Sequence, residues 1–123
     1  MKNLKLKPSL REKRHYMLLA AETKKKLTNK DFHEKINQAI LQFIGILGYA
    51  QAGPIFVSMR DKKIENILEE KNLVVLSVMT KYVDHVKSSL VLFKDNEDKT
   101  LKLKCIRVSG TIKKLKEFIE NLE

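Results

Sequence analysis

Cysteine is all but missing: Cys105 is the one thiol in 123 residues. An intrachain disulfide is therefore excluded, and a thiolate metal site of the common four-ligand kind lacks its ligands. A reducing compartment fits, and the cytoplasm is the expected location. Long apolar runs are missing too, since every hydrophobic stretch is interrupted well short of the roughly 18–20 residues that a membrane-spanning helix needs. The opening Met1-Lys2-Asn3-Leu4-Lys5 lacks the apolar core of a signal peptide. No membrane partner is expected.

Chemistry-bearing clusters are equally scarce. His15, His33 and His85 fall on different segments without ligand-like spacing, and no serine or cysteine carries a nucleophile signature, so neither a metal site nor a catalytic residue is expected in the chain. Glycine-rich phosphate loops of the GxxxxGK[ST] or GxGxxG kind do not occur. The close glycine pair Gly45-Ile46-Leu47-Gly48 holds apolar residues where a nucleic-acid clamp would carry basic ones. It reads as helix packing ended by a C-cap at Gly48.

What is abundant is positive charge. The 25 Lys and Arg outnumber the 15 Asp and Glu, giving +10, while 43% of the residues are hydrophobic. That apolar content suits one compact domain, and the excess charge makes a polyanion the natural partner. Residues 1–30 hold ten cations against Glu12 and Glu22, a net +8. Residues 99–116 add +7 with no acid at all, and residues 31–98 are slightly acidic. Residues 1–14 read as a basic arm and residues 15–123 as a single domain.

Hydrophobic patterning supplies the elements. His15 to Glu22 is an apolar run that predicts a strand buried on at least one face. Thr28 and Asp31 form a capping pair ahead of Phe32, Ile36, Ala39, Ile40, Phe43 and Leu47, whose helical spacing predicts one amphipathic helix running to about Gly48. Strand two is expected from Ile55 to Met59. The segment from Asp61 to Asn72 fits a short helix, with an extended hairpin as the alternative. Leu73 to Met79 is a third strand, and Tyr82 to Phe93 a helix after it. Leu101 to Val108 alternates as a fourth strand, and Ile112 to Leu122 closes the chain as an amphipathic helix. Two βαβ halves in so short a chain predict an α+β, ferredoxin-like fold (split βαβ, as in RNA-recognition motifs): an antiparallel four-stranded sheet with helices on one face and a C-terminal helix over an edge or part of the open face.

On that fold, RNA-recognition motifs stack bases on strand aromatics, but strand three has none and strand one offers only Tyr16, so base stacking is not the expected mode. An acylphosphatase-like hydrolase needs a glycine-rich anion loop with an arginine after strand one. Glu22-Thr23-Lys24-Lys25-Lys26-Leu27-Thr28 has neither. The last helix places Lys113, Lys114 and Lys116 at its start and Glu117, Glu120 and Glu123 at its end, against the macrodipole. Helix stability does not select that pattern, whereas phosphate binding does. Within Ser109-Gly110-Thr111, Ser or Thr can cap the helix, and Gly lets backbone N–H groups approach an anion. A plain cap is the competing reading.

Three blocks carry a resemblance: Pro8-Ser9-Leu10-Arg11-Glu12-Lys13-Arg14-His15-Tyr16, the glycine-alanine segment from Gly45 to Gly53, and Val108-Ser109-Gly110-Thr111-Ile112-Lys113-Lys114. Together they resemble the archaeal ribonuclease P protein component 2 family. Ser77 stands where that family carries a strand arginine, and His15 where a basic residue precedes the tyrosine. The resemblance implies a ferredoxin-like fold and assembly with a TIM-barrel ribonuclease P protein subunit into a heterodimer or heterotetramer. It also implies binding to the catalytic domain of ribonuclease P RNA, with precursor tRNA as the substrate of the complex. The chain would be a non-catalytic subunit without a bound cofactor, with Mg²⁺ at the RNA active site. The RNA-contact candidates are Arg11, Lys13, Arg14, Lys24, Lys25, Lys26, Lys102, Lys104, Arg107, Ser109, Gly110, Thr111, Lys113, Lys114 and Lys116. A stand-alone binder of structured RNA is the alternative function.

Overall fold

The computed structural model describes residues 13–24, 27–95 and 97–122. The elements run β1 (Arg14–Glu22), α1 (Asn29–Ala52), β2 (Ile55–Phe56), α2 (Lys62–Lys71), β3 (Leu73–Met79), α3 (Val83–Leu92), β4 (Lys102–Ser109) and α4 (Ile112–Glu120), with a 3₁₀ turn at Thr80–Tyr82 before α3. The sheet order is β2-β3-β1-β4 and every neighbouring pair is antiparallel. This is the expected ferredoxin-like arrangement, with α2 inserted between β2 and β3.

β1 and β3 read as continuous apolar runs because both of their faces are covered. Met17, Leu19 and Ala21 of β1 join Val74, Leu76 and Val78 of β3 under α1 and α3. Leu18, Ala20, Leu73 and Val75 point the other way, onto Ile64, Ile67 and Leu68 of α2 and Leu115 and Ile119 of α4. Helices therefore cover both faces, and α4 shares the second with α2 rather than closing an edge. Each fully buried Leu or Ile contributes roughly 1.5–3 kcal/mol, so β1, central in both layers, is the spine of the domain.

Segment 61–72 is the short helix rather than the hairpin. The Asp61 carboxylate accepts from the N–H groups of Lys63 and Ile64, and Asn72 closes the helix in the left-handed region at φ 55°. Thr28 caps α1 as its sequence suggests, accepting from Asp31 N at 3.2 Å. Two boundaries differ from the sequence reading. α1 does not stop at Gly48: it breaks at Gly45 (φ 75°, ψ 178°), resumes, and ends at Ala52 with Gly53 as its left-handed cap. Gly48 serves packing instead, since a Cβ there would lie 2.8 Å from that of Ile44. β2 is shorter than Ile55 to Met59 because the chain turns away at Arg60 (φ 52°). Met59 is buried in the second core, its N–H held by Glu65 Oε1 at 2.7 Å.

Candidate nucleic-acid interface

Because β1 and β4 are antiparallel, the start of one lies beside the end of the other, and Tyr16 pairs with Ser109. That register gathers Lys13, His15, Gly110 and the first turn of α4 into one corner, the cap end. The Lys13 side chain is exposed while its carbonyl accepts from Thr80 N at 2.9 Å. His15 Nδ1 lies 2.7 Å from Thr80 Oγ1, and its Nε2 faces Gly110.

Ser109 is buried; its hydroxyl accepts from Thr111 N at 3.2 Å and donates to Thr111 O at 2.8 Å. Thr111 Oγ1 in turn accepts from Lys114 N at 3.3 Å. Both hydroxyls thus help to build the cap: the Ser109 hydroxyl is buried and fully engaged, whereas Thr111 is exposed and its hydroxyl only accepts. What faces solvent is Gly110 and Thr111 with Lys113 and Lys114, beside helix N–H groups that have no intrahelical acceptor. Lys116, one turn on, is half-buried.

Arg14 is engaged by the scaffold. It is one residue from Lys13 yet turned inward: Nε donates to Ser77 Oγ at 2.8 Å, Nη2 to the carbonyls of Ser77 (2.9 Å) and Gly53, and Nη1 approaches Met79 Sδ at 3.4 Å. The guanidinium ties β1 across β3 to the end of α1. Ser77 is buried and receives it, so Ser77 anchors an arginine arriving from the next strand.

The other end of the sheet is the loop end, where Lys24 is exposed after β1 and Lys102 and Lys104 open β4. The segment between α3 and β4 brings Lys94 and Lys99 beside them, lining one open groove with Lys102, Lys104, Glu22 and an apolar floor of Leu90, Phe93 and Leu103. Sequence reasoning left out both lysines. Lys99 lay within the acid-free 99–116 stretch and was findable there; Lys94 had no such signal.

These loops are pinned by long-range bonds. Thr23 Oγ1 donates to Asp98 Oδ2, and Lys24 N approaches Thr100 Oγ1 at 3.5 Å. Lys35 of α1 reaches the buried Asp95 at 2.9 Å and Glu97 at 3.6 Å. Burial pushes the Asp95 carboxyl up, but the Lys35 ammonium and the N–H groups of Glu97 and Asp98 together outweigh it and leave the carboxyl below its ordinary value. Lys104 pairs with Glu22 at 2.6 Å, which holds that carboxyl below its usual range. Of the lysines on this groove, Lys104 is therefore partly neutralised.

Between the ends, β4 carries a bulge. Leu18 faces Arg107 and Leu19 faces Cys105, leaving Ile106 as the extra residue. Leu103, Cys105 and then Val108 pack on the first core, so the bulge moves Arg107 to the opposite face. There its guanidinium lies 4.9 Å from the centre of the Phe118 ring, on the side that alternation gives to Lys102 and Lys104.

Arg11, Lys25, Lys26 and residues 1–12 of the basic arm lie outside the described residues. His33 stacks on Phe56 at 3.8 Å, and burial lowers its pKa. Among the described residues no cluster of three or more His, Cys, Asp or Glu is gathered as for a metal ion, and no helix is long and apolar enough to cross a membrane. Large apolar side chains are exposed on α1 around its break, Ile46 at 83% and Leu47 at 72%, and on α3 at Val91 and Leu92.

Residues 14–120 match the model of the Rpp14/Pop5 family. Ribonuclease P protein component 2 of Pyrococcus abyssi is 32% identical over 95% of this chain and 92% of its own length. The protein of the same name from Methanocaldococcus jannaschii is 30% identical over 90% of this chain and 75% of its own. A chain of yeast ribonuclease MRP superposes with a TM-score of 0.59 at 15% identity, covering 94% of this chain and 92% of that one. That likeness is one of fold.

Proposed function

The chain belongs to the Rpp14/Pop5 family, and from that premise we propose that it is a protein subunit of ribonuclease P, the ribonucleoprotein that removes the 5′ leader of precursor tRNA. In this reading the RNA cleaves and holds the Mg²⁺, while the protein works by electrostatics and architecture. Its lysines neutralise crowded phosphates, so that the active RNA conformation needs less Mg²⁺.

The observation that carries the reading is the cap end. Lys113 and Lys114 crowd the positive end of α4, where the macrodipole disfavours them, and Gly110 leaves the backbone between them and Lys13 uncovered. A stand-alone RNA binder would need no protein partner. The exposed Ile46, Leu47, Val91 and Leu92 instead support a protein partner, and the TIM-barrel subunit is the one proposed.

The test is cleavage of precursor tRNA by the cognate ribonuclease P RNA at limiting Mg²⁺, with the partner subunit, in the presence and absence of this chain. A large gain in rate is expected, and Lys113→Ala/Lys114→Ala should shift the Mg²⁺ titration upward. No gain with both proteins folded and associated would leave an RNA-binding domain outside this enzyme.

A further inference from the structure

We infer that the RNA surface is bipartite: the cap end and the loop end grip two separate stretches of phosphate backbone in one folded RNA, with β4 as the strut that sets their spacing. The inference rests on the RNA-binding reading above and goes beyond it in naming the shape of the partner.

Distance is the first support. The seven steps from Lys102 to Ser109 span roughly 23 Å at strand rise, and the Debye length in physiological salt is about 8 Å. Charges at one end are screened from phosphates at the other, so each end attracts its own.

The intervening surface is the second support. Cys105 is half-buried, the bulged Ile106 is exposed and apolar, and Arg107 lies over the Phe118 ring. Along α4 the exposed Lys113 and Lys114 give way within one and two turns to the exposed Glu117 and Glu120. A backbone followed away from the cap end along α4 leaves the positive charge, and along β4 it meets only the exposed Arg107 before Lys104, which Glu22 partly neutralises.

Rigidity is the third. The cap end is fixed by the Ser109, Thr111 and Lys114 bonds, and the loop end by the Thr23 to Asp98 and Lys35 to Asp95 bonds. Two rigid ends at a fixed separation favour a partner whose own fold holds two backbone segments apart. A flexible single strand would have to be ordered across a middle where Arg107 is the one exposed cation between Lys104 and Ser109.

Site-directed hydroxyl-radical cleavage tests this. In a Cys105→Ser background, Lys113→Cys and Lys99→Cys are each tethered to Fe–EDTA and bound to the cognate ribonuclease P RNA in Mg²⁺ with the partner subunit. Two non-overlapping sets of cleaved nucleotides, in different helices or loops, are expected. A single shared set overturns the bipartite surface while leaving RNA binding intact. No cleavage from either tether, with both variants folded by circular dichroism, removes the RNA reading itself.

Salt dependence gives an independent readout. Lys113→Ala/Lys114→Ala and Lys99→Ala/Lys102→Ala should each reduce the slope of log K against log salt by about 2, and the quadruple variant by about 4. A quadruple variant no weaker than either double variant would also overturn the proposal.

Discussion

The two basic ends of the sheet are built in opposite ways. At the cap end, Lys113 and Lys114 stand on a helix whose start is fixed by bonds between residues two and three positions apart. At the loop end, Lys24, Lys94 and Lys99 stand on connecting segments held by bonds between residues 60 to 76 positions apart. A locally bonded site forms with its helix, whereas one assembled from distant segments depends on the whole domain and opens when any tie is lost. The loop end is also tempered by acid, since Glu22 takes Lys104. The difference assigns separate vulnerabilities: charge alone for Lys113 and Lys114, charge plus loop stability at the loop end.

Arg14 probes that division most sharply, because it lies at the cap end by position and in the scaffold by its bonds. Arg14→Ala strands the Ser77 hydroxyl and carbonyl and the Gly53 carbonyl, which should cost about 2–3 kcal/mol. A denaturant titration should show the midpoint falling with an unchanged m-value, and Arg14→Lys should recover only part of the loss, since an ammonium lacks the planar fork. RNA binding by the folded fraction should keep its salt slope. Unchanged stability with a slope reduced by about 1 would return Arg14 to the interface.

A smaller loss is expected at the loop end from Asp95→Asn. The carboxyl is buried against Lys35, and its folded pKa is depressed. Its contribution is therefore present above the unfolded value of about 4 and disappears as pH falls through the folded one. Asp95→Asn should cost about 1–2 kcal/mol at neutral pH and flatten that part of the acid dependence. Thermal melts of both proteins from pH 7 down to pH 3 measure it. Hydrogen exchange should quicken around Lys94 and Lys99 but not around Lys113. Melting curves that coincide at every pH would show that the pair does not hold the loop.

The same division marks what the sequence discloses. The apolar runs of β1 and β3, the Thr28 cap and the Ser109-Gly110-Thr111 turn are short-range patterns, and each was legible. Arg14 meeting Ser77 was not, because 63 residues separate them and a lysine-like reading of every cation follows from composition alone. The Ile106 bulge defeated alternation: one extra residue carried Arg107 from the face of Leu103 to that of Phe118. Gly45 and Gly48 were both visible as glycines. Which one breaks the helix depends on how α1 wraps the sheet, and that is a tertiary choice. The three resemblance blocks placed the family, while which lysines share an end came only with the register of β1 on β4.

The smallest change in stability, and the one with opposite signs for folding and binding, is expected at Gly110. Its φ is not positive, and a Cβ there would meet only His15 Nε2 at 3.8 Å, an ordinary contact. Neither conformation nor space requires glycine, so Gly110→Ala should stabilise the fold by about 0.4–1 kcal/mol through the unfolded chain. The same methyl would stand over the backbone that a phosphate approaches beside Lys113, so affinity for the RNA should fall severalfold while the salt slope stays constant, since no charge is removed. Chemical denaturation and binding titrations on the same preparation decide it. If Gly110→Ala binds as tightly as the parent chain, the backbone at the cap end is not in contact and its lysines act as distant charges, which would make the two ends alike after all.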